Sequence, residues 1–186
     1  MEARIGGHLN LHAGEFTILN MNKIRVKFNA YLRKGFIASE SVNLKGAKIG
    51  GQLDCSGATF TTLNLQNADI GKSLFLNNGF SAKKNVYLNG ANIEKQLVAA
   101  NGHFHHLYMQ KVKVGGIVFL RDGFEALGDV NLDKAQIAGH LDCRNGKFTN
   151  LDISRSKISK SVYLGNGFKS TKTVDLSDAD IGGFVD

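Results

Sequence analysis

The chain has 186 residues, 42% of them hydrophobic, and a formal net charge of +7. This composition excludes an intrinsically disordered chain and favours one folded domain over residues 1–186. No apolar run approaches the roughly 20 residues of a membrane span, and the first residues lack the apolar core of a signal peptide. The sequence therefore predicts a cytoplasmic protein without a membrane span.

A unit of 44 residues repeats along the whole chain. Alanine recurs at this spacing from Ala3, isoleucine from Ile5 and glycine-phenylalanine pairs from Gly35. The repeats are 3–46, 47–90, 91–134 and 135–178, followed by a partial repeat at 179–186. Such a period is typical of a solenoid.

Within one unit, apolar residues come in pairs that are separated by one residue. The second unit contains the pairs Ala47/Ile49, Leu53/Cys55, Ala58/Phe60, Leu63/Leu65, Ala68/Ile70, Leu74/Leu76 and Val86/Leu88. Alternation with a period of two indicates short strands, and a new pair about every five residues turns the chain too often for a helix. Each unit should hold two coils, of 21 and 23 residues, with about four short sides each.

The predicted fold class is therefore all-β, a parallel β-helix solenoid. A three-sided β-helix of about 22 residues per coil is the alternative. One segment per unit, at 37–41, 81–85, 125–129 and 169–173, lengthens one side and should bulge from one edge of the coil.

Three segments carry a recognisable motif: Ala-Asp-Ile-Gly-Lys at 68–72, Ala-Asn-Ile-Glu-Lys at 91–95 and Ala-Asp-Ile-Gly-Gly at 179–183. They resemble the A-(D/N)-L-x-x motif of pentapeptide-repeat proteins. The resemblance implies a right-handed quadrilateral β-helix in which the small and the large aliphatic residue both point inward. Some members of that family resemble B-form DNA through an acidic surface, and the basic character of this chain argues against that role.

The basic residues form the only surface pattern with functional meaning. They occupy two neighbouring columns at the repeat spacing, and the candidate binding face consists of Lys23, Arg25, Lys111, Lys113, Arg155 and Lys157. A rigid basic stripe can follow phosphates or an acidic protein surface. Asn67 and Asp69 interrupt the stripe.

The sequence predicts no catalytic site, no metal site and no cofactor. His103 and His105 should face solvent about 7 Å apart, but no third ligand is identified. His8 and His140 share a column at a separation on the order of 29 Å, too far apart to share an ion.

Other chemically active residue types also have structural explanations. Cys55 and Cys143 should be buried, and at about 19 Å they cannot form a disulfide within the chain. Asp54, Asp142 and Asp175 fall in columns with asparagine, which is typical of turns. Glycine pairs recur with the coil corners and lack the following helix of a phosphate-binding loop.

The favoured function is a non-catalytic scaffold or protein-interaction module with a protein partner. The repeat shows no capping segment at either end, which predicts either a segment of a longer protein or an association of copies through their coil ends. Binding of a polyanion such as nucleic acid through the basic face is the first alternative. A carbohydrate-active enzyme built on a β-helix is the least favoured one.

Overall fold

A computed structural model describes residues 2–186, which form three parallel β-sheets and contain no α-helix. Each complete coil contributes to all three sheets, and the sheet with eight strands has one strand per turn. The chain is thus a parallel β-solenoid of about eight turns, which confirms the predicted fold class. No helix among residues 2–186 is long and apolar enough to cross a membrane.

The strands of sheets 1 and 2 are two residues long. Sheet 1 consists of Arg4–Ile5, Arg25–Val26, Lys48–Ile49, Asp69–Ile70, Asn92–Ile93, Lys113–Val114, Gln136–Ile137, Lys157–Ile158 and Asp180–Ile181. Sheet 2 consists of Leu9–Asn10, Ala30–Tyr31, Leu53–Asp54, Leu74–Phe75, Leu97–Val98, Val118–Phe119, Leu141–Asp142 and Val162–Tyr163.

Most strands of sheet 3 are longer, with six or seven residues. They are Glu15–Asn20, Ile37–Asn43, Thr59–Asn64, Ser81–Tyr87, His103–Tyr108, Glu125–Asn131 and Lys147–Asp152; the short strands Lys169–Ser170 and Val174–Asp175 both pair with the last of these.

Coils of two lengths alternate, as the sequence predicts. In sheet 1, Arg4 pairs with Arg25, 21 residues on, and Arg25 pairs with Lys48, 23 residues on. The longer coils take up one of their two extra residues between sheets 2 and 3 and the other within sheet 3, where the register shifts between Ala38 and Ser41 and at equivalent places. Three of the four predicted bulging segments are therefore β-bulges inside continuous strands, and they do not form protruding loops.

Each coil has the four inward-facing pairs that the sequence predicts, although the strands form only three sheets. Ala47/Ile49 belongs to sheet 1 and Leu53/Cys55 to sheet 2, whereas the next two pairs both lie along sheet 3. All of these side chains are at most 2% exposed. The sequence was compatible with both four-sided and three-sided coils. In the structure, backbone hydrogen bonds join the third and fourth sides into one bulged sheet.

A continuous ladder of phenylalanine rings fills the core beside sheet 3. Successive ring centroids lie 5.0 to 5.5 Å apart along the ladder Phe16, Phe36, Phe60, Phe80, Phe104, Phe124, Phe148 and Phe168. Alternate rings come from two sequence columns. Phe16 lies on its strand, whereas Phe36 precedes its strand and fills the space left by Ala38, the partner of Phe16 in the ladder of strands.

Asparagine and aspartate shape the corner between sheets 3 and 1. The backbone N–H of Lys45 donates to Asn43 Oδ1 (3.1 Å), and that of Ser177 donates to Asp175 Oδ1 (2.8 Å). These bonds confirm the predicted turn role of this column.

Candidate functional site

The outer face of sheet 1 carries a single row of mostly charged side chains. In each two-residue strand the second residue points into the core, so the first points outward. From coil to coil the outward row reads Arg4, Arg25, Lys48, Asp69, Asn92, Lys113, Gln136, Lys157 and Asp180. Neighbours in this row are about 4.8 Å apart, the spacing of paired strands.

The structure places three of the six candidate basic residues in this row and the other three in the corner that precedes it. Arg25, Lys113 and Lys157 belong to the row itself. Lys23, Lys111 and Arg155 occupy the preceding corner, where each has a left-handed backbone with φ between 52 and 58°. The six residues thus form three neighbouring pairs, and four coils separate the first pair from the second.

Several of these cations already have carboxylate partners. Arg25 Nε lies 2.6 Å from Glu2 Oε2, and Arg155 Nε lies 2.8 Å from Asp133 Oδ1. Lys157 Nζ lies 3.2 Å from Asp180 Oδ2. Among residues 2–186, Lys23, Lys111 and Lys113 make no such ion pair.

The contact between Arg25 and Glu2 also changes the pKa of the Glu2 carboxylate. The hydrogen bond from its guanidinium, together with its charge, lowers the pKa of Glu2. Both side chains are exposed, so this pair neutralises charge at the edge of the face without adding much to the free energy of unfolding.

An elongated groove runs along the outer row, and we call it the sheet 1 groove. Its larger part has a volume of about 550 Å³ and is lined by Arg4, Arg25, Lys48, Asp69 and Glu94, among others. A smaller part of about 280 Å³ continues past Lys113 and Lys157. Asn92 lines both parts, so the groove follows the solenoid axis.

Glycines form much of the groove floor because successive coils approach closely there. A Cβ atom on Gly71 would lie 2.5 Å from the carbonyl oxygen of Gly50, and one on Gly50 would lie 2.3 Å from that of Lys27. Gly50 belongs to one of the glycine pairs assigned to corners from the sequence. Because these coils approach so closely, no side chain fits at Gly50 or Gly71. The glycine backbone therefore lines the groove next to the charged side chains.

The charge along the sheet 1 groove changes sign. Arg4, Arg25 and Lys48 line the first coils, Asp69 and Glu94 line the middle, and cations return in the later coils. Lys48 Nζ lies 3.7 Å from Asp69 Oδ2, so positive and negative groups already meet within the groove. The face is a mixed-charge surface rather than a uniformly basic one.

The histidine cluster lies on the outer face of sheet 3, away from this groove. His103 and His106 lie 3.5 Å from Glu125 and Asp129 respectively. No group of three or more potential ligands is placed to hold a metal ion in the described part of the chain. His8 and His140 instead accept backbone hydrogen bonds from the next coil, at 3.2 and 3.1 Å.

The two cysteines are fully buried, and burial raises the pKa of each thiol above its ordinary value. We expect a thiol reagent such as DTNB to titrate neither Cys55 nor Cys143 in the folded protein and both in urea, because only an exposed thiolate reacts. A Ser159→Cys variant, with its thiol on the exposed face, is the positive control. Rapid labelling of the unsubstituted folded protein would contradict this prediction.

One surface feature was not predicted from the sequence. The outer row of sheet 2 places an aromatic ring in every second coil, at Tyr31, Phe75, Phe119 and Tyr163. The 44-residue spacing of these rings is the signal that could have revealed them. Asp54 lies between the first two rings and Asp142 between the last two, and each carboxylate is buried.

Comparison of the chain with models of protein families, with curated proteins and with solved structures finds no match.

Proposed function

We propose that this chain is a non-catalytic protein-interaction module that holds an extended segment of a partner protein in the sheet 1 groove. The observation that carries the proposal is the groove itself, an open trough of about 550 Å³ that has glycines in its floor and is lined by both cations and carboxylates. The stacked coils make this surface rigid, so a partner segment loses its own freedom without having to order the receptor.

The sign change along the groove supports a protein segment over a nucleic acid. A polyanion gains from cations at every step, and here Asp69 and Glu94 would meet it in the middle of its path. Ion pairs to Glu2 and Asp180 further reduce the charge that Arg25 and Lys157 can offer. A peptide can place acidic residues opposite Arg4 and Lys48 and a basic or neutral residue opposite Asp69.

A charge-reversal experiment tests this proposal. Peptides selected from a display library on the immobilised chain should be enriched in acidic residues. They should bind a variant with Arg4→Glu, Arg25→Glu and Lys48→Glu at least about tenfold more weakly, because like charges then face each other. A matched variant on sheet 3, with Lys83→Glu, Lys84→Glu and Lys169→Glu, has the same net charge and should keep the affinity.

Two outcomes would contradict the proposal: selected peptides that bind both variants equally, or a selection that enriches no peptide. Tight binding of duplex DNA or RNA that is lost only in the sheet 1 variant would instead support the polyanion alternative.

We further propose that the chain is of the pentapeptide-repeat type. In support, Ala68 and Ile70 of one motif segment and Ala91 and Ile93 of another all point into the core. A right-handed winding fits the preference of crossover connections between parallel strands. Joining two sides into one bulged sheet is a departure from strict five-residue sides.

Association of copies through the coil ends and a cytoplasmic location also remain proposals. Light scattering at several protein concentrations tests the first. A molar mass that rises with concentration would support it, and a constant monomer mass would contradict it.

A further inference from the structure

Phe75 differs from the other aromatic residues in its column on the outer face of sheet 2. The guanidiniums of Arg33, Arg121 and Arg144 lie 4.5 to 4.7 Å from the ring centroids of Tyr31, Phe119 and Tyr163. Among residues 2–186, neither a cation nor a second ring lies over Phe75. Its half-buried ring is therefore the one in this column that can take a planar partner.

A cavity of about 540 Å³ opens beside Phe75, a volume within the usual range of small-molecule sites. Gly57 lines this cavity, whereas the equivalent corner one unit later is Asn101. A Cβ atom on Gly123 would lie 3.1 Å from Asn101 Oδ1, but one on Gly79, the equivalent of Gly123, would meet no atom within 4 Å. The glycine at position 57 thus leaves space that a side chain fills in the next unit.

The cavity has an excess positive charge. Arg33 Nη1 lies 2.6 Å from Asp54 Oδ2, so these two groups neutralise each other. Lys34 also lines the cavity, is exposed, and makes no ion pair among residues 2–186. An anionic group on a ligand would gain from this ammonium, and a cationic ligand would be repelled.

Side-chain amides supply the hydrogen-bonding groups of the cavity. Gln52, Asn77 and Asn78 all line it. The side chain of Gln52 and the amide nitrogens of Asn77 and Asn78 make no hydrogen bond among residues 2–186. An amide offers a donor and an acceptor side by side, which is the pattern that pairs with the edge of a purine base.

A buried carboxylate orders the wall of the cavity before a ligand arrives. Asp54 is only 5% exposed, and it accepts hydrogen bonds from Arg33 Nη1 and from the backbone N–H of Ser56 (3.0 Å). Ser56 Oγ lies 2.7 Å from Asn77 Oδ1, so the Asn77 amide is held on the same network. A ligand therefore meets a largely preformed surface.

We propose that this cavity binds a free purine nucleoside monophosphate, with the base on Phe75, its edge at Gln52 and Asn77, and the phosphate at Lys34. Two coils separate Lys34 from Phe75, about 10 Å along the solenoid axis, and the long lysine side chain can shorten this distance. The cavity is on a different sheet from the sheet 1 groove, so a failure of one proposal leaves the other intact.

Calorimetric titration at low salt with AMP, GMP, CMP and UMP, and with adenosine and guanosine, tests the proposal. At least one purine nucleotide should bind, and about fivefold more tightly than its nucleoside, because only the phosphate meets Lys34. Phe75→Ala should weaken nucleotide binding by about tenfold, the effect of losing one stacked base. Phe75→Leu, which fills similar space without a planar face, should weaken it as well.

Lys34→Gln should weaken nucleotide binding by about fivefold and leave nucleoside binding unchanged. The matched controls are Phe119→Ala, in the same column but beneath Arg121, and Lys84→Gln, an exposed lysine on sheet 3. Both controls should bind nucleotide like the parent chain, and thermal unfolding of every variant checks that the fold is intact.

Binding of none of the four nucleotides would overturn the proposal. So would equal losses for Phe75→Ala and Phe119→Ala, or a nucleotide that binds no more tightly than its nucleoside. Tighter binding of oligoadenylate than of AMP would also overturn it, because the ligand would then be a nucleic acid strand.

Discussion

Replacing Phe80 with alanine is expected to lower the free energy of unfolding by about 3–5 kcal/mol, the usual cost of removing a buried phenylalanine. Phe80 is fully buried, and its ring centroid lies 5.5 Å from that of Phe60 and 5.1 Å from that of Phe104. The alanine would leave a cavity in the middle of the ladder. The strand Ser81–Tyr87 that follows Phe80 is hydrogen-bonded to the coils on both sides, which limits how far the backbone can shift to close that cavity.

Urea unfolding followed by circular dichroism measures this effect. Phe28→Ala is the matched control, because Phe28 is 45% exposed and its removal opens no cavity. Phe168 belongs to the last coil of the ladder and is only half-buried, so Phe168→Ala should cost less than Phe80→Ala. Equal losses for Phe80 and Phe28 would show that the ladder does not stabilise the core.

Replacing Asp142 with asparagine is expected to lower the free energy of unfolding at neutral pH by about 1.5–3 kcal/mol, the range for hydrogen bonds to a charged group. Asp142 is 2% exposed, and Arg144 Nη2 and Arg121 Nη1 lie 2.6 and 3.1 Å from its Oδ2. Asparagine keeps the shape of the side chain but cannot pair with two guanidiniums.

The effect should depend on pH in a defined direction. Burial alone raises the pKa of Asp142, but hydrogen bonds from Arg144 and the charges of both arginines outweigh it, so the pKa is lower than in the unfolded chain. The carboxylate therefore stabilises the fold above its unfolded value of about 3.9 and loses this contribution as pH falls through the folded value. The difference between the parent chain and Asp142→Asn should shrink in acid.

Urea unfolding at neutral pH and in steps below pH 4 measures this difference. Asp69→Asn is the control, because Lys48 and Asp69 are both more than half exposed and their pair adds little to stability. A difference for Asp142→Asn that stays constant into acid would contradict the assigned ion pairs.

Much of the architecture could be derived from the sequence, because the repeat acts through local rules. A residue and its neighbour two positions on must share a face of a strand, so pairs such as Ala47/Ile49 identify the core without knowledge of the fold. The constant 44-residue offset then requires the coils to stack, and the spacing of Ala47, Ala68 and Ala91 sets their lengths at 21 and 23 residues. The same reasoning aligned the basic columns that begin with Lys23 and Arg25.

Contacts between coils could not be derived in this way. The sequence shows Phe16 and Phe36 in separate columns, and only packing around the bulge in sheet 3 brings their rings into one ladder. The glycine floor of the sheet 1 groove depends on how closely Gly71 approaches the Gly50 carbonyl of the coil below. The pairing of Asp142 with Arg121 and Arg144 likewise requires three side chains from two coils.

The sequence by itself thus determined the repeat, the inward residues and the side on which the cations lie, because each follows from strand alternation and a fixed period. Tertiary structure decided that four inward pairs form three sheets, that the basic face is a groove with a change of sign, and that a cavity opens beside Phe75 on sheet 2. These features depend on distances between coils of a few ångströms. A periodic pattern of residue types gives the order of the coils but not the fit between their side chains.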